Sequence, residues 1–258
     1  MRWFIFCKNE LLLSLTADGR KIVPTGETPP VERKPWAHEF ALMAYPDARA
    51  FVVDSPINTE GYAMMPLRSS YYELPLSDYQ LAGKFYELTY WDLNTRYCGV
   101  CGAPNRFNTE ISKLCPECGK EIWPQVSTAV IVRITRGDEV FMVRARNFRG
   151  DFYGLVAGFV ETGETLEEAV AREVHEETGL TISNLHYFGS QPWPYPCGLM
   201  VGFTAEYAGG EPHLQREELS SGGWFHRDHL PKLPEPLSIA RKLIDNWTGK
   251  REKTSEKN

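Results

Sequence analysis

The chain has 258 residues, of which 42% are hydrophobic and 24% are charged, and its formal net charge is −6 at pH 7. This composition is typical of a globular protein with one large domain or two to three small ones. The negative net charge argues against a body that binds nucleic acid through phosphate contacts alone, and no apolar run reaches the roughly 18 residues that a membrane span needs.

Residues 1–93 are expected to fold as a β-rich N-terminal α/β domain. Short apolar runs separated by Pro, Gly and Asp predict strands at Trp3–Cys7, Leu11–Leu15, Phe40–Ala44 and Phe51–Asp54. Leu81, Phe85 and Leu88 then follow at helical spacing, behind Ser77 or Asp78 as a candidate N-cap. Because the start of the chain lacks the features of a signal peptide, we expect a cytoplasmic protein with no membrane partner.

Four of the six cysteines occur as two close pairs, Cys98/Cys101 and Cys115/Cys118. Gly and Pro residues place each pair in a turn, and two such turns direct four thiolates at one tetrahedral ion without a free coordination position. We therefore predict a zinc ribbon at residues 94–124 with one structural Zn²⁺ per chain. The alternative is four reduced core cysteines. Since zinc ribbons also bind nucleic acid, this segment does not by itself indicate an enzyme.

Residues 125–250 alternate strands with helices, which predicts an α/β layered domain. A hairpin around Gly137-Asp138 is expected, with strands at 126–135 and 139–144. A helix at 166–178, strands at 182–190 and 199–207, and a closing helix at 239–247 behind Ser238 should follow. The polar residues 251–258 are expected to form a mobile tail.

The stretch Gly158–Leu180 reads GFVETGETLEEAVAREVHEETGL. Thr165 and Glu168 have the spacing of a capping box, and Gly179 stands where a helix ends. This segment is therefore predicted to be a helix with defined limits at both ends.

Three glutamates of that helix form a candidate metal site. Glu173 and Glu177 are four residues apart and share one helix face, with Glu176 beside them. Like charges at this spacing destabilise a bare helix, and a divalent cation reverses that effect. Carboxylate oxygens suit Mg²⁺ or Mn²⁺. The alternative is a solvated acidic face.

The stretch also fits the pattern G-x5-E-x7-R-E-U-x-E-E-x-G-U, where U is aliphatic, and in this it resembles the Nudix hydrolase superfamily. The matching residues are Gly158, Glu164, Arg172, Glu173, Val174, Glu176, Glu177, Gly179 and Leu180. The resemblance implies an α/β/α sandwich with a mixed sheet, and metal-dependent hydrolysis of phosphoric anhydrides.

The resemblance also implies catalytic roles for five of these residues. Glu173, Glu176 and Glu177, together with the Ala157 carbonyl, would hold two or three Mg²⁺ or Mn²⁺ ions; which glutamate is the general base stays open. Two further catalytic residues, Arg172 and Glu164, would form a pair that orients the helix.

A further metal-binding carboxylate usually comes from outside this stretch in the superfamily. We expect Glu218 in that role, with Glu217 as the second choice, because both precede a predicted strand.

The segment Ser190–Pro196 reads SQPWPYP, in which three alternating prolines stiffen the chain around two aromatic residues. Such a segment holds rings for base stacking at low entropic cost; the alternative is a surface connector. It resembles the SQPWPFP motif of the NADH pyrophosphatase branch of the superfamily. Tyr195 replaces Phe, and Cys197 and Gly198 follow where that branch often has a polar residue and Ser.

This resemblance implies a homodimer with a shared active site and a set of substrate-binding residues. They are Arg68, Glu110, Trp123, Phe159, Gln191, Pro192, Trp193, Pro194, Tyr195, Pro196, Cys197, Gly198 and Ala240. A lysine of that branch is replaced here by Thr25, which removes one expected contact.

The implied reaction is hydrolysis of NAD(H) to NMN(H) and AMP, with removal of NAD caps from RNA 5′ ends as a second use of the same cleavage. The stretch Gly158–Leu180 is called the Nudix box below. Before it come three arginines that are either phosphate contacts or solvated: Arg144, Arg146 and Arg149. Two alternatives remain open. One is a Nudix hydrolase that prefers ADP-ribose or diadenosine polyphosphates, and the other is a zinc-ribbon binding or regulatory protein with an inactive Nudix fold.

Overall fold

The computed structural model describes residues 1–146 and 150–249, in two compact units. Unit 1 is Met1–Gln125 together with Pro194–Cys197, and unit 2 is Val126–Trp193 together with the described residues from Gly198 onward. Arg149 and the tail predicted at 251–258 lie outside the described residues. Within the described ranges, no helix combines the length and apolar character that a membrane span requires.

Unit 1 begins with a five-stranded sheet. Its strands are β1 (Arg2–Cys7), β2 (Glu10–Leu15), β3 (Lys21–Ile22), β4 (Ala48–Val52) and β5 (Tyr62–Pro66). The order is β3-β2-β1-β4, with β5 also paired to β2; β1 and β4 are parallel, and the other pairs are antiparallel.

The strand predicted at Phe40–Ala44 is wrong. Phe40 makes a single bridge to Ala50, and the chain then turns, because the Tyr45 amide donates to the Leu42 carbonyl and the Ala48 amide donates to the Tyr45 carbonyl. The apolar side chains of this run pack into the core from turns, and the run does not form a strand.

A 3₁₀ turn (Ser69–Tyr72) leads to α1 (Leu76–Asn94). Leu81, Phe85 and Leu88 are buried, as their spacing predicted. The predicted caps are wrong: Pro75 is the N-cap, and neither Ser77 nor Asp78 caps the helix. Asp78 instead accepts a hydrogen bond from Arg2 at 2.6 Å, which ties α1 to β1.

The zinc ribbon follows as a three-stranded antiparallel sheet, formed by β6 (Arg106–Thr109), β7 (Ser112–Leu114) and β8 (Glu121–Ile122). Lys113 is buried, and its Nζ contacts the Asp92 carboxylate at 2.6 Å. Removing one partner of a buried pair is costly, so this contact ties the ribbon firmly to the end of α1.

Unit 2 contains a six-stranded mixed sheet and two helices. The elements are β9 (Ser127–Arg136), β10 (Glu139–Ala145), β11 (Val156–Phe159), α2 (Leu166–Thr178), β12 (Thr181–Trp193), β13 (Gly198–Gly209), β14 (Leu219–His226) and α3 (Ile239–Thr248). The order is β12-β13-β9-β10-β14, with β11 also paired to β9. Only β13 and β9 are parallel within this described sheet.

Alternate residues of β9 face two separate apolar layers, as the period of two in a strand requires. Val130 and Val132 pack with Val170 of α2, and Ile131 packs with Leu243 of α3. One helix therefore covers each face of the sheet, which confirms the predicted α/β/α sandwich with a mixed sheet.

The structure confirms the predicted end signals of α2 and α3. Thr165 and Glu168 form the predicted capping box, and Gly179 ends α2 in the left-handed region at φ 71°. Ser238 Oγ accepts the Arg241 amide at the start of α3. Strands β12 and β13 extend further than predicted, to Trp193 and from Gly198.

Glu87 on α1 is half-buried, and its Oε1 has no hydrogen-bond partner among the described residues. Burial raises its pKa from 4.5 to about 7, and the nearby charge of Lys84 offsets only part of this effect. The carboxylate form is therefore poorly solvated in the folded chain.

Glu87→Gln tests this burial. A group whose pKa is raised on folding contributes stability that is full below its unfolded pKa and is lost as the pH rises through its folded pKa. The wild type therefore loses stability between pH 4.5 and about 7, whereas the variant carries no titrating charge. We expect Glu87→Gln to unfold roughly 2–4 °C above the wild type at about pH 8, the change that about 1 kcal/mol produces at this size.

Thermal unfolding at about pH 5 and pH 8 measures the difference, with Glu60→Gln, an exposed glutamate of the same unit, as the control. An equal offset of Glu87→Gln at both pH values would contradict the buried charge.

Candidate active site

The start of the Nudix box brings β11 directly against α2. At Gly158 on β11, an added Cβ would lie 2.0 Å from the carboxyl carbon of Glu173 on α2. That distance is far below van der Waals contact, so only glycine leaves room for this carboxylate. The glycine of the motif is therefore explained by the space that Glu173 occupies.

Arg172 joins the carboxylates of the box. Its Nε donates to Glu164 at 2.5 Å, and its Nη1 donates to Glu173 at 2.9 Å and to Glu176 at 3.0 Å. Its Nη2 donates to the Phe159 carbonyl at 2.9 Å. Hydrogen bonds from Arg172, followed by one from the Glu161 amide, lower the pKa of Glu164 to about 2, and the contact with Glu164 raises the pKa of Arg172.

Glu177 is in a different environment, because its side chain has only 5% exposure and no contact with Arg172 is found among the described residues. Burial raises its pKa to about 8, and the negative charges of Glu173 and Glu218 add to this effect. Burial also raises the pKa of Glu173, against the opposing charge of Arg172. A divalent cation would remove this electrostatic cost, and the oxygen donors fit Mg²⁺ or Mn²⁺.

A cleft of about 390 Å³ in unit 2 brings together predicted metal-binding residues from separate elements. Its lining includes Ala157, Glu177, Glu217, Glu218 and Arg146. Both candidate carboxylates from outside the box thus reach the same cleft as Glu177. The charge of Glu218 also acts on Glu173 and Glu177, which favours it over Glu217.

Glu176 is 54% exposed and is held by Arg172. Of the arginines before the box, Arg146 lines the cleft and its Nε donates to the Arg216 carbonyl. Arg144 donates to the Gly150 carbonyl at 3.1 Å. The structure therefore associates Arg146, but not Arg144, with the carboxylate cleft.

The cysteines of the ribbon form a compact cluster. The Sγ atoms of Cys98 and Cys118 are 3.6 Å apart, and those of Cys101 and Cys115 are 3.4 Å apart. Zn–S bonds of about 2.3 Å in a tetrahedron place sulfurs roughly 3.8 Å apart, so the cluster fits a zinc ion. Among residues 1–146 and 150–249, it is the only group of His, Cys, Asp or Glu ligand atoms all within 4.8 Å of one another.

The predicted substrate residues of unit 2 have varied exposure. Phe159 at the end of β11 is 65% exposed, whereas Ala240 on α3 is buried. Gln191 donates through Nε2 to the Leu237 carbonyl at 2.8 Å, while its Oε1 is buried without a partner among the described residues. Pro192 and Trp193 belong to β12, opposite Leu199 and Gly198. The SQPWPYP segment is thus strand up to Trp193, followed by a turn that starts at Pro194 and includes Cys197 after the segment.

In unit 1, Arg68 immediately precedes the 3₁₀ turn. Glu110 lies between β6 and β7 and accepts the Met43 amide at 2.8 Å. Trp123, after β8, is half exposed. The Glu110–Met43 contact spans 67 residues of chain, and no local sequence pattern indicated it.

Comparison with known families gives three matches along the chain. Residues 1–91 match the NADH pyrophosphatase-like rudimentary NUDIX domain, residues 93–122 the NADH pyrophosphatase zinc ribbon domain, and residues 124–247 the NUDIX domain. A Pseudomonas aeruginosa (strain LESB58) protein named NAD-capped RNA hydrolase NudC is 41% identical over 205 residues, which are 79% of this chain and 74% of that protein. This chain belongs to the Nudix family.

Another relative with the same name, from Pectobacterium carotovorum subsp. carotovorum (strain PC1), is 46% identical over 169 residues. The match covers 65% of this Nudix chain and 65% of that relative, which is just under two thirds of its length. A crystal structure of a NUDIX hydrolase from Nitrosomonas europaea has a TM-score of 0.52 at 17% identity, covering 61% of this chain and 92% of that one. That likeness concerns the fold alone.

Cys115→Ser is expected to lose the zinc ion and to lower the unfolding temperature, because a structural site contributes its binding energy to folding. The wild type should contain one zinc per chain by elemental analysis. Cys197→Ser, outside the cluster, is the control and should keep its zinc. Retention of a full zinc complement by Cys115→Ser would show that the four sulfurs do not share an ion.

Proposed function

We propose that this Nudix protein hydrolyses the pyrophosphate bond of NAD(H) to give NMN(H) and AMP, and that it cleaves the same bond in NAD caps at RNA 5′ ends. The main support is the intact Nudix box, with Glu177, Glu218 and Ala157 lining one cleft. The names of the two relatives, NAD-capped RNA hydrolase, and the two NADH pyrophosphatase family models support the substrate.

The residues proposed to hold two or three Mg²⁺ or Mn²⁺ ions are Glu173, Glu176, Glu177, Glu218 and the Ala157 carbonyl. Bound there, the ions would neutralise the bridging phosphates and activate a water that attacks phosphorus. The raised pKa of Glu177, caused by burial and by neighbouring carboxylates, supports this assignment since a cation would take the place of the proton.

Arg172 and Glu164 are proposed to act through position. The hydrogen bond to Glu164 fixes the Arg172 guanidinium group, which then holds Glu173 and Glu176 in place. Arg146 lines the same cleft and, of the described arginines before the box, is the one placed to meet a phosphate oxygen there.

Substrate contacts are proposed for the residues named from the SQPWPYP motif and for Arg68, Glu110, Trp123, Phe159 and Ala240. The exposed aromatic rings of Trp123 and Phe159 support this role, since stacking on a base requires an accessible ring. For Ala240, which is buried, the proposal rests on the resemblance alone.

The Zn²⁺ of the ribbon is proposed to be structural, because four sulfur ligands leave no coordination position for chemistry. We also propose that the protein acts in the cytoplasm, where NAD(H) and RNA are present and where thiolates stay reduced.

A homodimer with a shared active site is proposed from the branch that this chain resembles. Light scattering should give twice the chain mass of 29.4 kDa. A monomer that turns over NADH at full rate would contradict a shared site.

The central test is hydrolysis of NADH with Mg²⁺ or Mn²⁺ by the wild type and by Glu177→Gln. The variant keeps the shape of the side chain and removes the charge that binds the ions, so we expect the rate to fall by at least about 100-fold, corresponding to a loss of several kcal/mol of transition-state stabilisation. Glu167→Gln, on the exposed side of the same helix, is the matched control and should keep its activity. Equal activity of wild type and Glu177→Gln would contradict the metal site.

A substrate panel then separates the candidates. NADH and NAD-capped RNA should be cleaved with a higher kcat/KM than ADP-ribose or diadenosine polyphosphates. The reverse order would make this a different Nudix hydrolase, and the absence of metal-dependent turnover on every substrate would indicate a binding protein with an inactive fold.

A further inference from the structure

Tyr195 stands where the motif of the NADH pyrophosphatase branch has Phe, so its hydroxyl group is an addition. That hydroxyl lies 2.5 Å from the hydroxyl of Tyr79 on α1, and both residues belong to unit 1. The contact joins positions 116 residues apart. A Phe at position 195 would fill the same space without this hydrogen bond.

Tyr79 also contacts the turn that follows Arg68. It is a buried residue, and its ring lies edge-on to the ring of Tyr71 with centroids 5.3 Å apart. Tyr71 belongs to the 3₁₀ turn that begins directly after Arg68. Burial raises the pKa of Tyr79, while the hydrogen bond to Tyr195 and the positive charge of Arg68 act to lower it.

The next turn of α1 supports the same segment. An added Cβ at Gly83 would lie 3.0 Å from Cγ of Pro194. Tyr79 and Gly83 are four residues apart and therefore share one face of α1. This face contacts two successive residues of the SQPWPYP segment, Pro194 and Tyr195.

We propose that Tyr79 is a positioning residue that fixes the Tyr195 ring and the Arg68 turn relative to each other, and so sets the affinity for the dinucleotide substrate. The inference rests on the proposed function, in which Tyr195 and Arg68 contact the substrate. It assigns to the N-terminal domain a part in substrate selection, through α1.

The physical reason is preorganisation. The prolines of the segment restrict its backbone but not the rotation of the Tyr195 side chain. The hydrogen bond between the hydroxyls of buried Tyr79 and half-buried Tyr195 fixes the ring before the substrate arrives, so binding does not include the full entropic cost of ordering it.

The test uses Tyr79→Phe, Tyr195→Phe and the double variant in the full chain. Each single change removes one hydroxyl of this hydrogen-bonded pair, whereas the double change removes both. We expect KM for NADH to rise about three- to tenfold in each single variant, the range that one lost hydrogen bond produces. The value of kcat should change less than twofold. The KM of the double variant should not exceed that of the single variant with the higher KM.

Tyr45→Phe is the matched control, because Tyr45 is a half-buried tyrosine of unit 1 whose hydroxyl makes no hydrogen bond within the described residues. Gly83→Ala is a second probe. Alanine favours a helix over glycine, so a rise in KM for NADH in this variant would come from displacement of Pro194 and not from a weaker α1.

Thermal unfolding of the wild type, the two single variants and the double variant gives a readout that needs no substrate. The changes in unfolding temperature of the two single variants should not add up to the change in the double variant. Additive changes in unfolding temperature, or an unchanged KM in both single variants, would overturn the inference. A fall in kcat with KM unchanged would also overturn it.

Failure of the proposed function is distinguishable from failure of the inference. If the wild type cleaves ADP-ribose or a diadenosine polyphosphate in place of NADH, the proposed substrate is wrong, and the same KM pattern is expected for the substrate that is cleaved. A wild type that cleaves none of them overturns both proposals.

Discussion

Four glutamate side chains and one guanidinium group lie on α2 and on the loop that leads into it from β11. Arg172 binds Glu164, Glu173 and Glu176, while Glu177 is buried without a described contact to it. Contact with Arg172 lowers the pKa of Glu164 to about 2, whereas burial raises the pKa of Glu173 despite its contact with Arg172 and raises that of Glu177 to about 8. Negative charge is thus neutralised on one side of the box and left for a cation on the other.

The zinc ribbon and the Nudix box arrange their cation-binding groups in different ways. The ribbon gathers four sulfurs around one closed position, and the buried pair of Lys113 with Asp92 ties it to α1. The box leaves carboxylates along an open cleft, where phosphate oxygens can complete the coordination of a cation. The first arrangement suits a structural ion and the second suits chemistry.

Local patterns in the sequence were enough for much of the fold. The capping box of Thr165, the end of α2 at Gly179, the Gly137-Asp138 hairpin and the cysteine pairs each depend on residues close together in the chain. One error came from a distant partner, and another came from local turns that replace the predicted strand. Asp78 bonds to Arg2 and does not cap α1, and the run after Phe40 packs through turns.

By itself, the sequence determined the type of chemistry, because the spacing of Glu173, Glu176 and Glu177 on one helix is a local property. Only the tertiary structure shows that Glu217 and Glu218, which precede β14, line the same cleft as Glu177, since this placement depends on the pairing of β14 with β10. The same holds for Tyr79 and Tyr195, which lie 116 residues apart. Their contact results from the packing of α1 against a turn, and no periodicity along the chain encodes which distant residues such packing brings together.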